Sequence, residues 1–359
     1  MILMNPGPVT LSPRVRAALQ REDLCHREPE FAALSLSLRA SLESLYAAEG
    51  YTAVLLTGSG SCAVEAMLAT FAPRDAATLV VCNGVYGERM AQMLQRQGKP
   101  CLESRQSWGE AIDLAAIRGQ LDAHPQVACL AVVQHETTTG RLNQLDELAA
   151  LCRERSIGLL IDAVSSFGAE RLDFARWRPL AAAATANKCL HGIPGIAFVL
   201  GQSERLAEHR GYSPSLYLDL EQYVAPQSQG WSPFTQSVQA CFALEEALRE
   251  LDEAGGWQAR QVRYQAITDR VRDQLVALGV RPLLAREDSS SMLTAYYLPE
   301  GCSYATLHDH LKQAGFTIYA GQGALAAQIF RIATMGDIRN ADVERLCDEL
   351  QAVLAQVAA

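Results

Sequence analysis

Two residues in the middle of the chain invite chemistry. Asp162 closes the apolar run Leu159-Leu160-Ile161, and Lys188 follows the alanine-rich stretch 181–186. A carboxylate in apolar surroundings needs strong donors or a cationic partner, so Asp162 reads as a ligand of a metal or of a cofactor cation. Most lysines are solvated, and Lys188 alone would be read that way. A lysine withdrawn from water instead loses proton affinity and becomes a nucleophile for carbonyl carbon. The two lie 26 residues apart, on what read as successive strands.

A third feature is Gly58-Ser59-Gly60-Ser61-Cys62-Ala63, between the apolar run Ala53-Val54-Leu55-Leu56 and a helical pattern. Small residues let backbone approach an anion, and the helix start offers free N–H groups. The string also fits a GxGxxA dinucleotide fingerprint, which asks for an acid at the end of the next strand. That strand ends on Cys82-Asn83. A phosphate is therefore expected rather than a dinucleotide, with a bare strand-to-helix turn as the plainer reading. Asn83-Gly84-Val85-Tyr86-Gly87-Glu88 sets an aromatic between glycines, suited to stacking on a planar ring or to an ordinary turn. His135-Glu136-Thr137-Thr138-Thr139-Gly140 offers three hydroxyls, either for an aromatic oxygen or to cap a following helix. A phosphate cradle, a buried anion and a nucleophilic lysine are together what pyridoxal phosphate requires.

These residues need a scaffold that brings strand ends together. Apolar runs at 53–56, 79–82, 130–133, 159–161 and 195–200 alternate with helical patterns such as 145–155. That alternation predicts a mostly parallel sheet covered on both faces, with ligands at the carboxyl ends of its strands. Polar breaks occupy 201–235, a helix pattern runs over 238–251, and an alternating stretch covers 292–298 in a smaller α/β or α+β body. The 359 residues suggest two domains, and the net charge of −9 argues against nucleic acid. No apolar run reaches membrane-spanning length, and the N-terminal one is too short for a signal peptide. Ten cysteines without a CxxC pair read as reduced core residues, pointing to a cytoplasmic protein without a zinc ribbon. His308-Asp309-His310 does not share a helix face and reads as solvated surface, so no metal is expected.

The motifs resemble one family nearly end to end. Asn5-Pro6-Gly7-Pro8, His26-Arg27-Glu28-Pro29-Glu30-Phe31, the Gly58 loop and Asn83-Gly84-Val85-Tyr86-Gly87 look like the fold-type I, class V pyridoxal-phosphate aminotransferases. So do Asp162-Ala163-Val164-Ser165-Ser166-Phe167-Gly168 and Phe330-Arg331-Ile332-Ala333-Thr334-Met335-Gly336. Glu136-Thr137-Thr138-Thr139-Gly140 and Ala186-Asn187-Lys188-Cys189 are most similar to the branch acting on 2-aminoethylphosphonate and pyruvate. The resemblance implies an α/β fold with a large, mostly parallel seven-stranded sheet domain over 1–250 and a smaller C-terminal α/β domain over 251–359. The N-terminal segment is free to pack on the smaller domain.

It further implies that Lys188 bonds covalently to the cofactor, with Asn187 beside it, and that Asp162 pairs with the ring nitrogen. Ser59, Gly60 and Ser61 surround the phosphate, Tyr86 stacks on the ring and Thr137 reaches its hydroxyl. Thr235 would serve the phosphate of a neighbouring subunit, which implies a homodimer. Arg331 would clamp the keto-acid carboxylate. Two departures stand out: Gln134-His135, where the family has a histidine and a small residue, and Phe234-Thr235-Gln236-Ser237-Val238.

The implied activity is ping-pong transfer of the amino group of 2-aminoethylphosphonate to pyruvate, giving phosphonoacetaldehyde and alanine. The alternative within the family is an alanine- or serine-dependent transaminase using glyoxylate or pyruvate. A cysteine lyase would need a mobile loop around Cys302, and none is evident. A dehydrogenase is disfavoured by Asn83, and a binding module would not require both Asp162 and Lys188.

Overall fold

Helices cover both faces of the central sheet, which is why its strands are apolar along their whole length rather than at alternate positions. The computed structural model describes residues 1–358. The strands are β1 (Tyr51–Gly58), β2 (Ala77–Cys82), β3 (Cys101–Arg105), β4 (Val127–Val133), β5 (Gly158–Asp162), β6 (Ala181–Thr185) and β7 (Gly195–Gln202). Their order is β1-β7-β6-β5-β4-β2-β3. β6, β5, β4, β2 and β3 pair in parallel, and only β7 runs against its neighbours. Leu130 and Val132 of β4 enter one core, while Cys129, Ala131 and Val133 enter the other. β6 consists of four alanines and a threonine, small side chains that let the helix Gly60–Phe71 lie against it.

The mostly parallel seven-stranded sheet agrees with the expected α/β architecture. β3 was not foreseen: it pairs only with β2 at the sheet edge, and Ser104 alone of its five residues is buried. The stretch 201–235 is not merely broken, since it contains the helices Ser203–Ala207 and Glu221–Ser228.

A second body contains β8 (Leu293–Tyr297), β9 (Tyr319–Ala320) and β10 (Ile329–Ala333), antiparallel in the order β8-β10-β9. Its core joins Phe316, Phe330 and Ile332 to Val271 and Leu275 of the helix Gly256–Ala277 and Leu346 of the helix Asn340–Ala358. The N-terminus belongs to this core, because Ile2–Leu3 pairs in parallel with Phe316–Thr317 and Met4 is fully buried. Cys302 packs in the same core. His310 bonds Glu349 while His308 bonds Asp309, so the two imidazoles serve different partners. Among the described residues no helix is long and apolar enough to cross a membrane, and no acidic, histidine and cysteine cluster could hold a metal.

Lys99 shows how this scaffold treats a buried charge. Its Nζ donates to the carbonyls of Leu68 (2.9 Å), Ala69 (2.5 Å) and Ala72 (2.6 Å) at the end of the helix Gly60–Phe71. A cation placed there serves the Ala69 and Ala72 carbonyls, which the helix leaves open, and shares the Leu68 carbonyl with the Ala72 N–H. Lys99→Met strands the Ala69 and Ala72 carbonyls, and is expected to lower the unfolding free energy by about 2 kcal/mol. Urea denaturation checks this, and an unchanged midpoint would assign these bonds no weight.

Candidate active site

β1, β2, β4, β5 and β6 all point the same way, so Gly58, Cys82, Val133, Asp162 and Thr185 end at one edge of the sheet. The loops leaving them carry most of the residues singled out by sequence. Ser59 caps the helix Gly60–Phe71 by position, but its hydroxyl makes no capping bond. The N–H groups of Cys62 and Ala63 turn back to the Ser59 carbonyl, leaving those of Gly60 and Ser61 for a ligand. A Cβ on Gly60 would stand 2.6 Å from Val164 Cγ1, so glycine lets this loop meet the turn after Asp162. Ser61, Tyr86, Asp162 and Val164 line one small cavity.

Asp162 Oδ1 accepts from the Val164 N–H at 2.9 Å. Burial pushes its pKa up to about 6, against the pull of that bond and of the Arg89 and Lys188 charges. Lys188 lies three residues beyond β6, and its Nζ donates to the Pro6 carbonyl. Burial brings its pKa down to about 8. Neighbouring Asn187 accepts from the Thr185 hydroxyl at 2.8 Å.

Arg331 reaches this edge from β10. Its guanidinium donates to the carbonyls of Ala320 (2.9 Å) and Thr137 (2.8 Å) and to Gln322 Oε1 (3.2 Å). Nη2 has no partner among the described residues. Thr235 differs from the others. Its side chain is exposed, although the neighbouring Ser237 N–H bonds the Thr57 hydroxyl at 3.0 Å beside the Ser59 loop. The single chain therefore does not bring Thr235 into the cluster.

The hydroxyl segment does not cap a helix. His135–Glu136 and Arg141–Leu142 form a short antiparallel hairpin, with Thr137, Thr138 and Thr139 in its turn region. Glu136, which sequence reasoning passed over, organises this corner. Its carboxylate accepts from the N–H groups of Tyr86 (3.2 Å), Gly87 (3.4 Å) and Thr138 (3.2 Å), and from the Thr138 hydroxyl (2.6 Å). It thus fixes the start of the helix Val85–Arg96, including Tyr86. Burial pushes Glu136 up to about 7 despite these donors. A buried acid inside a threonine-rich motif was the available signal.

Arg89 was also missed. Its guanidinium lies 4.7 Å from the Tyr86 ring centroid, and Nη1 is 3.5 Å from Ser61 Oγ. Asn83 donates to the side chain of Asn143 at 2.8 Å, which leaves no acid where a dinucleotide ribose would need one. At the first departure from the family pattern, Gln134 accepts from Ser166 and donates to the Arg171 carbonyl. His135 faces the Ser165 carbonyl through Nδ1, and burial lowers its pKa to about 4.

A family model described as aminotransferase class-V matches residues 14–346. The chain belongs to the class-V aminotransferases. It is 39% identical over 360 residues to a 2-aminoethylphosphonate–pyruvate transaminase of Aeromonas hydrophila, covering 96% of this chain and 93% of that one. A transaminase of the same name from Klebsiella pneumoniae is 37% identical over 350 residues, covering 96% and 95%. Among solved structures, an alanine–glyoxylate aminotransferase from Nostoc superposes with a TM-score of 0.92 at 28% identity, covering 98% and 95%. An aspartate aminotransferase from Thermus thermophilus gives 0.90 at 28%, covering 99% and 100%.

This aminotransferase family implies pyridoxal phosphate, and the residues present fit it. There is a glycine-lined cradle with free N–H groups, a buried carboxylate with one oxygen in use, and an amine of lowered pKa. Burial of Glu136 also has a measurable consequence. Its pKa is about 7 folded against an ordinary 4.5, so between those values the folded state holds a proton the unfolded state lacks. Stability of the cofactor-free aminotransferase therefore falls as pH rises through this window on account of Glu136. Urea titrations from about pH 5 to 7 should show a shallower fall for Glu136→Gln than for the parent protein. Equal slopes would remove this assignment.

Proposed function

We propose that this aminotransferase moves the amino group of 2-aminoethylphosphonate to pyruvate, yielding phosphonoacetaldehyde and alanine, with pyridoxal phosphate as carrier. The observation that carries the reading is the meeting of Asp162 and Lys188 at one sheet edge, beside the Ser59-Gly60-Ser61 loop and within reach of Arg331. The names of the Aeromonas and Klebsiella relatives support the donor and acceptor.

When bound, the cofactor supplies an aldehyde that takes up the amino group and a ring that withdraws electrons. Ser59, Gly60 and Ser61 hold its phosphate and Tyr86 packs on its ring. Asp162 would keep the ring nitrogen charged, and Thr137 would bond the ring hydroxyl. Lys188 would supply the amine for the covalent link, with Asn187 positioning the turn that carries it. Because burial lowers its pKa to about 8, Lys188 is partly a free base near neutrality, so it can take a proton from the substrate carbon and return it. The unpartnered Nη2 of Arg331 is available to a substrate anion.

The large domain is read as 1–250 and the small one as 251–359 with the N-terminal segment. A homodimer completes the site in this reading, with Thr235 serving the partner's cofactor phosphate. Exposed Thr235 supports this, as does Leu216, 71% exposed on the same stretch. Free cysteines throughout agree with a reducing, cytoplasmic setting. The likeness to the Nostoc enzyme favours a second reading, with alanine or serine as donor and glyoxylate or pyruvate as acceptor.

The chain has three lysines, Lys99, Lys188 and Lys312, which makes the test clean. Borohydride treatment of the loaded enzyme should add a pyridoxyl group to the Lys188 peptide alone, and Lys188→Ala should lose both label and turnover. Label elsewhere, or an active Lys188→Ala, would overturn the assignment. 2-Aminoethylphosphonate should discharge the visible absorption of the bound cofactor; discharge by L-alanine or L-serine but not by the phosphonate would select the second reading. Arg331→Lys should lower kcat/KM for pyruvate by about a hundredfold, and a change of under about threefold would exclude a carboxylate contact. Sedimentation velocity should report a dimer, and a monomer active at the same concentration would rule out the shared site.

A further inference from the structure

Lys188 is held by a part of the chain that the proposed chemistry leaves unused. The segment 5–9 spans the site as a strap whose two ends rest on the small body. At one end, Ile2–Leu3 pairs with Phe316–Thr317, the Met4 N–H bonds the Thr317 carbonyl, and the Ala333 N–H bonds the Met4 carbonyl, both at 2.8 Å. At the other, the Asp337 N–H bonds the Thr10 carbonyl at 2.8 Å. The Thr10 hydroxyl also accepts from the Leu3 N–H at 2.8 Å, which ties the two ends together.

Between these anchors the strap lies directly on Lys188. Pro6 is buried, and its carbonyl has one donor among the described residues, the Lys188 amine. A buried carbonyl without a donor is costly, so this contact serves both partners. Gly7 adopts φ +106°, a region that favours glycine. A Cβ there would stand 2.5 Å from Lys188 Cδ, 2.7 Å from Nζ and 2.8 Å from Cε. A side chain at position 7 would therefore move the end of Lys188 away from the Pro6 carbonyl.

We propose that the strap is the docking position of the free Lys188 amine, with the Pro6 carbonyl as its acceptor and Gly7 as the clearance that admits it. Pro6 and Gly7 are thus positioning residues for Lys188, and the inference rests on the reading of Lys188 as the reactive amine. A transaminase lysine leaves its covalent bond in each half-reaction and must be kept within reach of the substrate carbon meanwhile. The carbonyl holds the nitrogen at one point, and it favours the ammonium over the neutral amine because a charged donor makes the stronger bond. The charges acting on this amine come from Asp162, Arg331 and Arg89, while burial keeps the adjacent Cys189 thiol protonated.

The test uses Gly7→Ala, which displaces the lysine, and Thr10→Val, which removes the acceptor of the Leu3 N–H without adding an atom near Lys188. Cofactor-free protein is mixed with pyridoxal phosphate, and the rate of bond formation to Lys188 is followed by absorbance against pH. Without the Pro6 contact the ammonium is less favoured, so the midpoint of the rate profile should fall by about one pH unit in Gly7→Ala. A smaller fall is expected in Thr10→Val. In steady state, kcat should drop about tenfold with KM for pyruvate within about twofold, because a displaced proton carrier slows the proton step rather than acceptor binding. A strap that merely stabilises the fold would lower the melting temperature and leave the midpoint in place. Unchanged midpoints in folded Gly7→Ala, or in Thr10→Val if Gly7→Ala does not fold, would overturn the proposal. Borohydride labelling of the parent protein separates the two ideas: no label on Lys188 overturns the proposed function and the docking role together, whereas normal labelling with unmoved midpoints overturns the docking role alone.

Discussion

Asp162 and Lys188 meet at one edge because β5 and β6 run side by side in the same direction. Their register sets Asp162 opposite Ala183, so the acid ends its strand where β6 has two residues left before the turn to Lys188. Had β6 been antiparallel, its carboxyl end would lie at the far side of the sheet. The alanines of β6 contribute to the same geometry, since the helix Gly60–Phe71 packs against that strand and its first turn reaches Val164. Pairing direction and small side chains together account for a glycine-containing loop with free N–H groups, a carboxylate and an amine at one edge.

Burial moves four titratable groups at this edge toward their neutral forms. Asp162 rises to about 6 and Glu136 to about 7, while Lys188 falls to about 8 and His135 to about 4. Glu136 shows the division of labour: it sits beside the site and meets four donors, yet its effect is to fix the backbone of Tyr86 and Gly87.

Strands buried on both faces were legible in the sequence, because a run such as Leu130-Ala131-Val132-Val133 has few other structural uses. So were Asp162, Lys188 and the Gly58 loop, whose residue types are unusual at the end of an apolar strand. Edge strand β3 escaped because one neighbour and partial exposure leave no continuous apolar run. Helix capping was one of two readings of the three threonines, but the Thr138 hydroxyl turns to Glu136. The strap was legible only as a motif: contact between Gly7 and Lys188 joins positions 181 residues apart, which no local periodicity encodes. Arg89 lies on a helix face where an arginine ordinarily reads as solvated surface.

Lysine usage has a consequence for tolerance of reactive carbonyl compounds. Only three lysines stand among 31 basic residues. Lys99 is locked onto three backbone carbonyls, and Lys312 is exposed on the helix Tyr304–Gln313, away from the sheet edge that carries Lys188. Guanidinium groups, always protonated, do not condense readily with aldehydes as amines do. A surface whose cations are nearly all arginine therefore keeps its solubilising charge while presenting few amines to an aldehyde released nearby. With Lys99 engaged by backbone and Lys188 enclosed at the sheet edge, Lys312 is the one lysine amine such an aldehyde would meet on the open surface.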